Sequence, residues 1–356
     1  MSKFLNKKYS MLEAYTPGEQ PQDKKYIKLN TNESPYPPSE GVLKAINSDE
    51  VSLLNLYPDP ECKLLKSAIA QRYGVNTSNV FVGNGSDDIL SFAFMAFCGR
   101  DSEAAFPDIS YGFYKVYAEL HGVPYKAIPL ADDFKVKAED YYGINKNIFI
   151  ANPNAPTGLT LSLDEISKLC ETNRDHIVLI DEAYVDFGAK SSVYLTKKYD
   201  NLITVMTYSK SRSMAGARLG FAIANEALIE DLNKIKYSTN PYSINRLTML
   251  AGIAAIEDQK YYDENCQKII AARENTKKEL AKEGFTFTDS KSNFIFAKHG
   301  STDGETLYKE LKARGVLVRH FGKERIKDYI RITVGTPEQM DAFMAAVRDI
   351  LSGGQK

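Results

Sequence analysis

The 356-residue chain predicts an α/β protein: a large domain built on a mostly parallel sheet flanked by helices, then a smaller α/β domain. Three observations predict it. Short, fully apolar runs recur between amphipathic stretches, the pattern of strands buried on both faces. They alternate as strand–helix–strand, which crossover helices on a parallel sheet produce. Past about residue 245 the texture shifts to one long charged helix and then short strands. A chain of this length supports two cores.

Leu64, Leu65, Ala68 and Ile69 recur at helical spacing ahead of the strand run Val80-Phe81-Val82. A glycine-rich turn, Gly83-Asn84-Gly85-Ser86-Asp87-Asp88, leads into an apolar helical run over 89–97. Further strand runs are Ile148-Phe149-Ile150, Ile177-Val178-Leu179-Ile180, Leu202-Ile203-Thr204-Val205-Met206 and Gly220-Phe221-Ala222-Ile223. Between them, Ser162-Leu163-Asp164-Glu165 carries the hydroxyl and the glutamate of a capping box. A charged helix over 259–283 precedes three more strands: Asn293-Phe294-Ile295-Phe296-Ala297, Val316-Leu317-Val318-Arg319 and Tyr329-Ile330-Arg331-Ile332-Thr333-Val334. Thr336-Pro337-Glu338-Gln339 opens the last helix with a hydroxyl cap, a first-turn proline and a third-position glutamine. The expected division is an arm with part of the small domain over 1–45, the large domain over 46–245 and the small domain over 246–356. No repeat or low-complexity tract interrupts it.

Hydrophobic residues make up 43% and charged residues 26%, the balance of a folded globular chain. A net charge of −1 offers no electrostatic basis for binding nucleic acid or an anionic membrane. The first eight residues lack the apolar centre of a signal peptide, and no apolar run nears the ~18 residues of a span. Cys62, Cys98, Cys170 and Cys266 show no paired spacing and read as reduced cytosolic thiols. The four histidines are not at metal-ligand spacing either. A cytoplasmic protein without metal, membrane or nucleic-acid partner is expected.

The most informative segment is Thr207-Tyr208-Ser209-Lys210, with Arg218 and Gly220 shortly after. Lys210 follows a buried strand; hydroxyls precede it and an arginine follows. An amine nucleophile inside a phosphate cradle is the requirement of pyridoxal 5′-phosphate chemistry, whereas a solvated loop lysine is the plain alternative. Asp181 also follows a strand. It can cap the next element, or it can pair, ionised, with a cationic ring nitrogen. A parallel sheet brings Asp181 and Lys210 to one carboxyl edge, where ligands bind in such folds. The turn at 83–88 aims backbone N–H groups at one spot suited to phosphate. It lacks the third glycine of a dinucleotide fingerprint and the lysine of a P-loop. Asn152-Pro153-Asn154-Ala155-Pro156-Thr157-Gly158 supplies amides that can meet a phenolate oxygen. Tyr111 can stack on a flat ring. Arg331, inside an apolar strand, requires an anionic partner, a bound carboxylate or an internal glutamate. Arg319 repeats that argument more weakly.

These blocks, together with Tyr15-Thr16-Pro17-Gly18, Leu29-Asn30-Thr31-Asn32-Glu33-Ser34-Pro35-Tyr36, Tyr57-Pro58-Asp59 and Ser292-Asn293-Phe294, resemble the fold-type-I pyridoxal phosphate aminotransferases nearly end to end. More narrowly, they are similar to the histidinol-phosphate aminotransferase family. The resemblance implies that Lys210 forms the Schiff base, Asp181 pairs with the pyridine nitrogen, Tyr111 stacks on the ring and Tyr184 bonds its phenolate oxygen. It implies a phosphate held by Ser86 and Asp87 through backbone amides, by Ser209 and Arg218, and by Tyr57 from a second subunit of a homodimer. Arg331 would clamp the glutamate carboxylate; Arg319, Tyr15 and Tyr242 would meet the distal phosphate of histidinol phosphate. The implied reaction is transamination between histidinol phosphate and 2-oxoglutarate in histidine biosynthesis. Relatives of similar pattern transaminate aromatic amino acids or decarboxylate threonine phosphate. The chain departs from the family pattern at Ala155, where an asparagine normally bonds the phenolate oxygen, so that either Asn154 substitutes or Tyr184 acts alone. Ser34 and Pro37 are smaller departures.

Overall fold

The computed structural model describes residues 5, 6, 9 and 12–353. A two-residue strand, β1 (Ile27–Lys28), precedes the main sheet. That sheet has seven strands: β2 (Val80–Gly83), β3 (Ala104–Pro107), β4 (Tyr125–Ile128), β5 (Asn147–Ala151), β6 (Val178–Asp181), β7 (Leu202–Thr207) and β8 (Gly220–Ala224), in spatial order β2-β8-β7-β6-β5-β3-β4. Strands β4, β3, β5, β6 and β7 run parallel, while β8 lies antiparallel to both β7 and β2. A mostly parallel sheet was expected, and its antiparallel edge is the part that apolar runs alone do not reveal.

Alternate side chains go to opposite faces, as a pleated strand dictates. Phe149, Leu179, Ile203 and Val205 pack with helices Ser86–Phe97 and Phe113–His121, whose Ile89, Phe94, Tyr114 and Ala118 join the same cluster. Ile148, Ile150, Val178, Ile180 and Leu202 face the other way, onto Ile166 and Leu169 of helix Leu163–Thr172. That helix starts as the sequence indicates: Glu165 N donates to Ser162 Oγ at 3.2 Å and Ser162 N to Glu165 Oε2 at 2.6 Å. Burial on both faces explains why these runs carry no polar alternation.

The second sheet is antiparallel, in order β12 (Arg319–His320), β13 (Ile330–Thr333), β10 (Phe294–His299) and β9 (Phe285–Phe287). Helices Gln259–Lys282 and Pro337–Leu351 cover it through Ile269, Leu280, Phe343 and Val347. The run 316–319, expected as one strand, divides at Val318: β11 (Val316–Leu317) instead pairs in parallel with β1. That pairing ties the segment before residue 30 to the second sheet, and Thr333 N donates to Leu29 O at 2.9 Å. Ile109, Leu130 and Phe134 meet Phe296 and Ile326 in an apolar cluster joining the two sheets' surroundings. The cleft between them collects the chemistry.

Candidate active site

Strand register sets the first half of the site. Ala151 lies beside Asp181, and Asp181 beside Val205, so β5 and β6 end level at the carboxyl edge and β7 continues two residues further, to Thr207. Asp181 is 4% exposed; Tyr114 Oη donates to its Oδ2 at 3.2 Å and Ala183 N to its Oδ1 at 3.1 Å. Burial pushes its carboxyl up to about 6, against the pull of those donors and of Lys210. A deeply placed carboxylate without a paired cation is costly unless a ligand brings the charge. Lys210, three residues past β7, donates from Nζ to Thr31 O at 3.2 Å and lies 5.8 Å from the Tyr184 ring centre.

The turn after β2 meets β8 and Arg218 at close range. Gly85 has φ +82°, and a Cβ there would sit 2.7 Å from Arg218 Nη2. A Cβ on Gly220 would sit 2.5 Å from Ser86 N, so both positions require glycine. The N-cap of helix Ser86–Phe97 is Gly85, which has no side chain to cap it, leaving the amides of Ser86 and Asp87 at the cleft's anion end. Arg218 closes that end: Nη2 pairs with Asp87 Oδ2 at 3.0 Å, and Nη1 donates to Ser209 Oγ at 3.4 Å. Tyr111 Oη donates to Asp87 Oδ1 at 2.6 Å; burial and that carboxylate push the phenol well above its ordinary value. A cavity of about 390 Å³ holds Ser86, Tyr111, Asp181, Tyr184, Lys210 and Arg218 on its walls.

A second cavity of about 480 Å³ shares Thr31, Tyr111, Ala155, Tyr184 and Lys210 with the first and extends to Tyr15, Arg319 and Arg331. Arg319 and Arg331 are direct partners across β12 and β13. Like charges opposite one another repel. Yet among the described residues neither has a salt-bridging carboxylate: Arg331 donates to Asn30 O at 3.0 Å, and Arg319 to Pro17 O and Thr16 O at 3.2 Å each. Burial presses the Arg331 guanidinium below its ordinary value, and its Nε has no partner. Tyr15 stacks on Phe113 with centroids 4.2 Å apart, beside them. A larger groove of about 970 Å³ lies elsewhere, along helices Gly304–Ala313 and Pro337–Leu351. Its Arg314 is already paired with Asp349 and Glu310, and its Lys282 with Glu279.

Three expected residues stand apart from both cavities. Tyr57 is 79% exposed and stacks on Tyr242, itself 42% exposed, at 4.5 Å. Tyr242 is therefore not beside Tyr15 and Arg319 within one chain. Asn154 is enclosed beside the cleft rather than lining it: Nδ2 donates to Ile109 O at 3.0 Å and Thr157 Oγ1 at 3.1 Å, and Oδ1 accepts from Ser110 Oγ at 2.7 Å. Both amide hydrogens being committed to Ile109 and Thr157, Asn154 has no donor left to replace the amide missing at Ala155. Of the two alternatives, only Tyr184 reaches the cleft.

Comparison with known proteins gives the same picture. The aminotransferase class I and II family matches residues 24–347. A histidinol-phosphate aminotransferase of Brachyspira hyodysenteriae is 54% identical over 99% of this chain and 99% of that protein. One from Clostridium beijerinckii is 49% identical over 100% of this chain and 99% of that protein. The chain belongs to the histidinol-phosphate aminotransferases, within the class I and II aminotransferase family. Its fold also matches the solved histidinol-phosphate aminotransferase of Sinorhizobium meliloti in complex with pyridoxal-5′-phosphate, with a TM-score of 0.85, 24% identity and coverage of 92% and 91%.

The residues of this aminotransferase fit pyridoxal phosphate. A buried, proton-hungry Asp181 suits a ring nitrogen; the uncapped helix end, Ser209 and Arg218 suit a phosphate; Tyr111 offers a ring face; Lys210 offers the amine. Sequence reading quoted Thr31 and Asn32 only as parts of a motif and did not single out Tyr114. Thr31 meets Lys210 through a backbone carbonyl, a contact no side-chain pattern encodes. Tyr114 stands three residues after Tyr111, one helical turn away, which is the signal that was available.

Proposed function

We propose that this chain transfers an amino group between histidinol phosphate and 2-oxoglutarate with pyridoxal 5′-phosphate as cofactor, the histidine-biosynthetic reaction of its relatives. The observation that carries the substrate assignment is the cross-strand pair Arg319 and Arg331, which among the described residues has no salt-bridging carboxylate and opens onto the cavity shared with Lys210. Uncompensated guanidiniums favour an anionic ligand, and planar forks suit carboxylate and phosphate alike.

In this reading Lys210, Asp181, Tyr184, Tyr111, Ser86, Asp87, Ser209 and Arg218 hold the cofactor. When bound, it supplies an electron sink for the carbon that loses its proton. Lys210 would hold the cofactor through its amine, and when free that amine would take the substrate's α-proton as general base and return it as general acid. Asp181, ionised, keeps the ring nitrogen protonated. Tyr111 stacks on one ring face, and Tyr184 donates to the phenolate oxygen. Arg331 orients the carboxylate of glutamate in one half-reaction and the phosphate in the other, with Arg319 and Tyr15 added for phosphate.

The same reading makes the active unit a cytoplasmic homodimer. Tyr57, Leu54 and Leu56 line an exposed groove with Pro58, and large exposed apolar patches on a folded surface mark contacts with another chain. The partner subunit's Tyr57 would complete the phosphate end, and the partner's Tyr242 would accompany it. Four unpaired cysteines support a reducing compartment, and among the described residues no helix is long and apolar enough to cross a membrane.

Steady-state assays with histidinol phosphate, phenylalanine and threonine phosphate test the substrate. Higher efficiency with phenylalanine, or release of carbon dioxide from threonine phosphate, overturns it. Mixing inactive Lys210→Ala protein with a weakened Tyr57→Ala protein tests the shared site. Heterodimers should gain activity over either parent, and a fully active monomer in sedimentation refutes the dimer.

A further inference from the structure

Tyr184 has its hydroxyl oriented by a residue that touches neither the lysine nor the acid. Asn32 Nδ2 donates to Tyr184 Oη at 3.0 Å. The direction of that bond is set by Thr333. Asn32 N donates to Thr333 Oγ1 at 3.0 Å, and the same hydroxyl donates its single proton to Asn32 Oδ1 at 2.9 Å. With Oδ1 engaged as acceptor, the amide must present Nδ2 to the phenol. Asn293 Nδ2 adds a third tie, to Asn32 O at 3.1 Å. Asn32 is 1% exposed and has φ +56°, a left-handed conformation that asparagine tolerates better than most residues. A buried residue in a left-handed conformation, tied at its backbone N and O and held at its side-chain Oδ1 by Thr333, aims its amide at one phenol and so is built to position it.

The consequence follows from proton counting. Tyr184 has one proton and accepts one from Asn32. Among the described residues it donates to none, and it lines both cavities. The wall beside it carries Ala155, which has no polar atom, while Asn154 is turned away. The adjacent Thr31 carbonyl receives Lys210 Nζ, so one dipeptide orients both groups from a base on β13.

We propose that Asn32 is a positioning residue: by donating to Tyr184 Oη it turns the phenol proton into the cleft, making Tyr184 the side-chain donor to the cofactor's phenolate oxygen on a wall where residue 155 offers none. This rests on the cofactor reading above. A donor to a phenolate stabilises the ionised form, so losing it raises the pH at which the bound chromophore loses its proton.

The test is a pH titration of the visible absorption of the holoenzyme, which needs no turnover. Tyr184→Phe should raise the midpoint by about one pH unit, the effect of losing one charge-assisted hydrogen bond. Asn32→Gly keeps the left-handed backbone and removes only the amide; it should raise the midpoint by at least half as much. In the double variant the midpoint should match Tyr184→Phe alone, because Asn32 acts through the phenol. Adding Ala155→Asn to Asn32→Gly should return the midpoint toward wild type. A merely structural asparagine would lower the melting temperature and leave the midpoint in place. If Tyr184→Phe moves the midpoint and Asn32→Gly does not, or if the two shifts add in full, the inference is overturned while the cofactor site stands. If Tyr184→Phe itself moves nothing, both fall together.

Discussion

The two ends of the cleft solve their electrostatics differently. At the edge of the seven-stranded sheet the cation is met from within the chain, Arg218 by Asp87, while Asp181 receives hydrogen bonds from Tyr114 and a backbone amide. At the four-stranded sheet, Arg319 and Arg331 face one another with only backbone carbonyls as acceptors. An internally compensated end suits a ligand that stays through every cycle. A cationic end that, among the described residues, has no salt-bridging carboxylate suits ligands that bring the charge and leave with it, so that two different anions can share it. The lesson is that residue type matters less than whether the protein supplies the partner.

Four experiments break or sharpen that contrast. The largest effect belongs to Lys210→Ala, which should abolish turnover while the cofactor still binds, now without covalent attachment. Borohydride should fix the cofactor to Lys210 in the wild type and to nothing in the variant, and mass spectrometry of peptides reads the difference. Near-wild-type turnover would remove Lys210 from the chemistry.

Asp181→Asn comes next, with an expected loss of ~10²-fold or more in kcat, since a neutral partner no longer keeps the ring nitrogen charged. A loss below about threefold would make Asp181 a structural cap. Arg319→Ala should cost roughly 10- to 150-fold in kcat/KM for histidinol phosphate, the range of one charge-assisted bond of ~1.5–3 kcal/mol, and much less for glutamate. Equal losses on both substrates would erase the distinction between the two arginines.

The smallest effect is on pH dependence. Asp181 stands at about 6 in the cofactor-free protein, above its ordinary value. Its contribution to stability is therefore full below about pH 4 and is lost as pH rises through 6. Glu182, raised to about 7 by burial, adds to the same trend at slightly higher pH. The melting temperature of the cofactor-free protein should fall across this window, less so in Asp181→Asn. Cofactor affinity should run the opposite way, strengthening above pH 6 as the carboxylate forms. An affinity flat from pH 5 to 8 would break the assignment of Asp181 as the charged partner.

The contrast also marks what could be read from residues in order. Strands β2, β5, β6, β7 and β8 were legible because burial on both faces leaves uninterrupted apolar runs, and the helices opening at Ser162 and Thr336 because capping chemistry is local. Strands β3, β4 and β9 were not singled out. Strand β4 is partly exposed at the sheet edge, β3 (Ala104-Ala105-Phe106-Pro107) carries no β-branched residue, and β9 spans only three residues. Lys210, Asp181 and Arg218 were legible because each follows or precedes such a run. Thr31, Asn32 and Tyr114 were not, since their partners lie 179, 152 and 67 residues away.

By itself, then, the sequence determined the strands buried on both faces and the capped helices, the strand ends that carry the lysine and the acid, and the family. Those follow from periodicity, capping and spacing, which act over a few residues. Tertiary structure alone decided that Asn154 commits its amide to Ile109, Ser110 and Thr157, that Tyr57 and Tyr242 stack together on the surface, and that, among the described residues, Arg319 and Arg331 stand opposite without a salt-bridging carboxylate. Each is a matter of which distant groups meet, and hydrogen-bond direction and charge compensation exist only once the chain has brought them together.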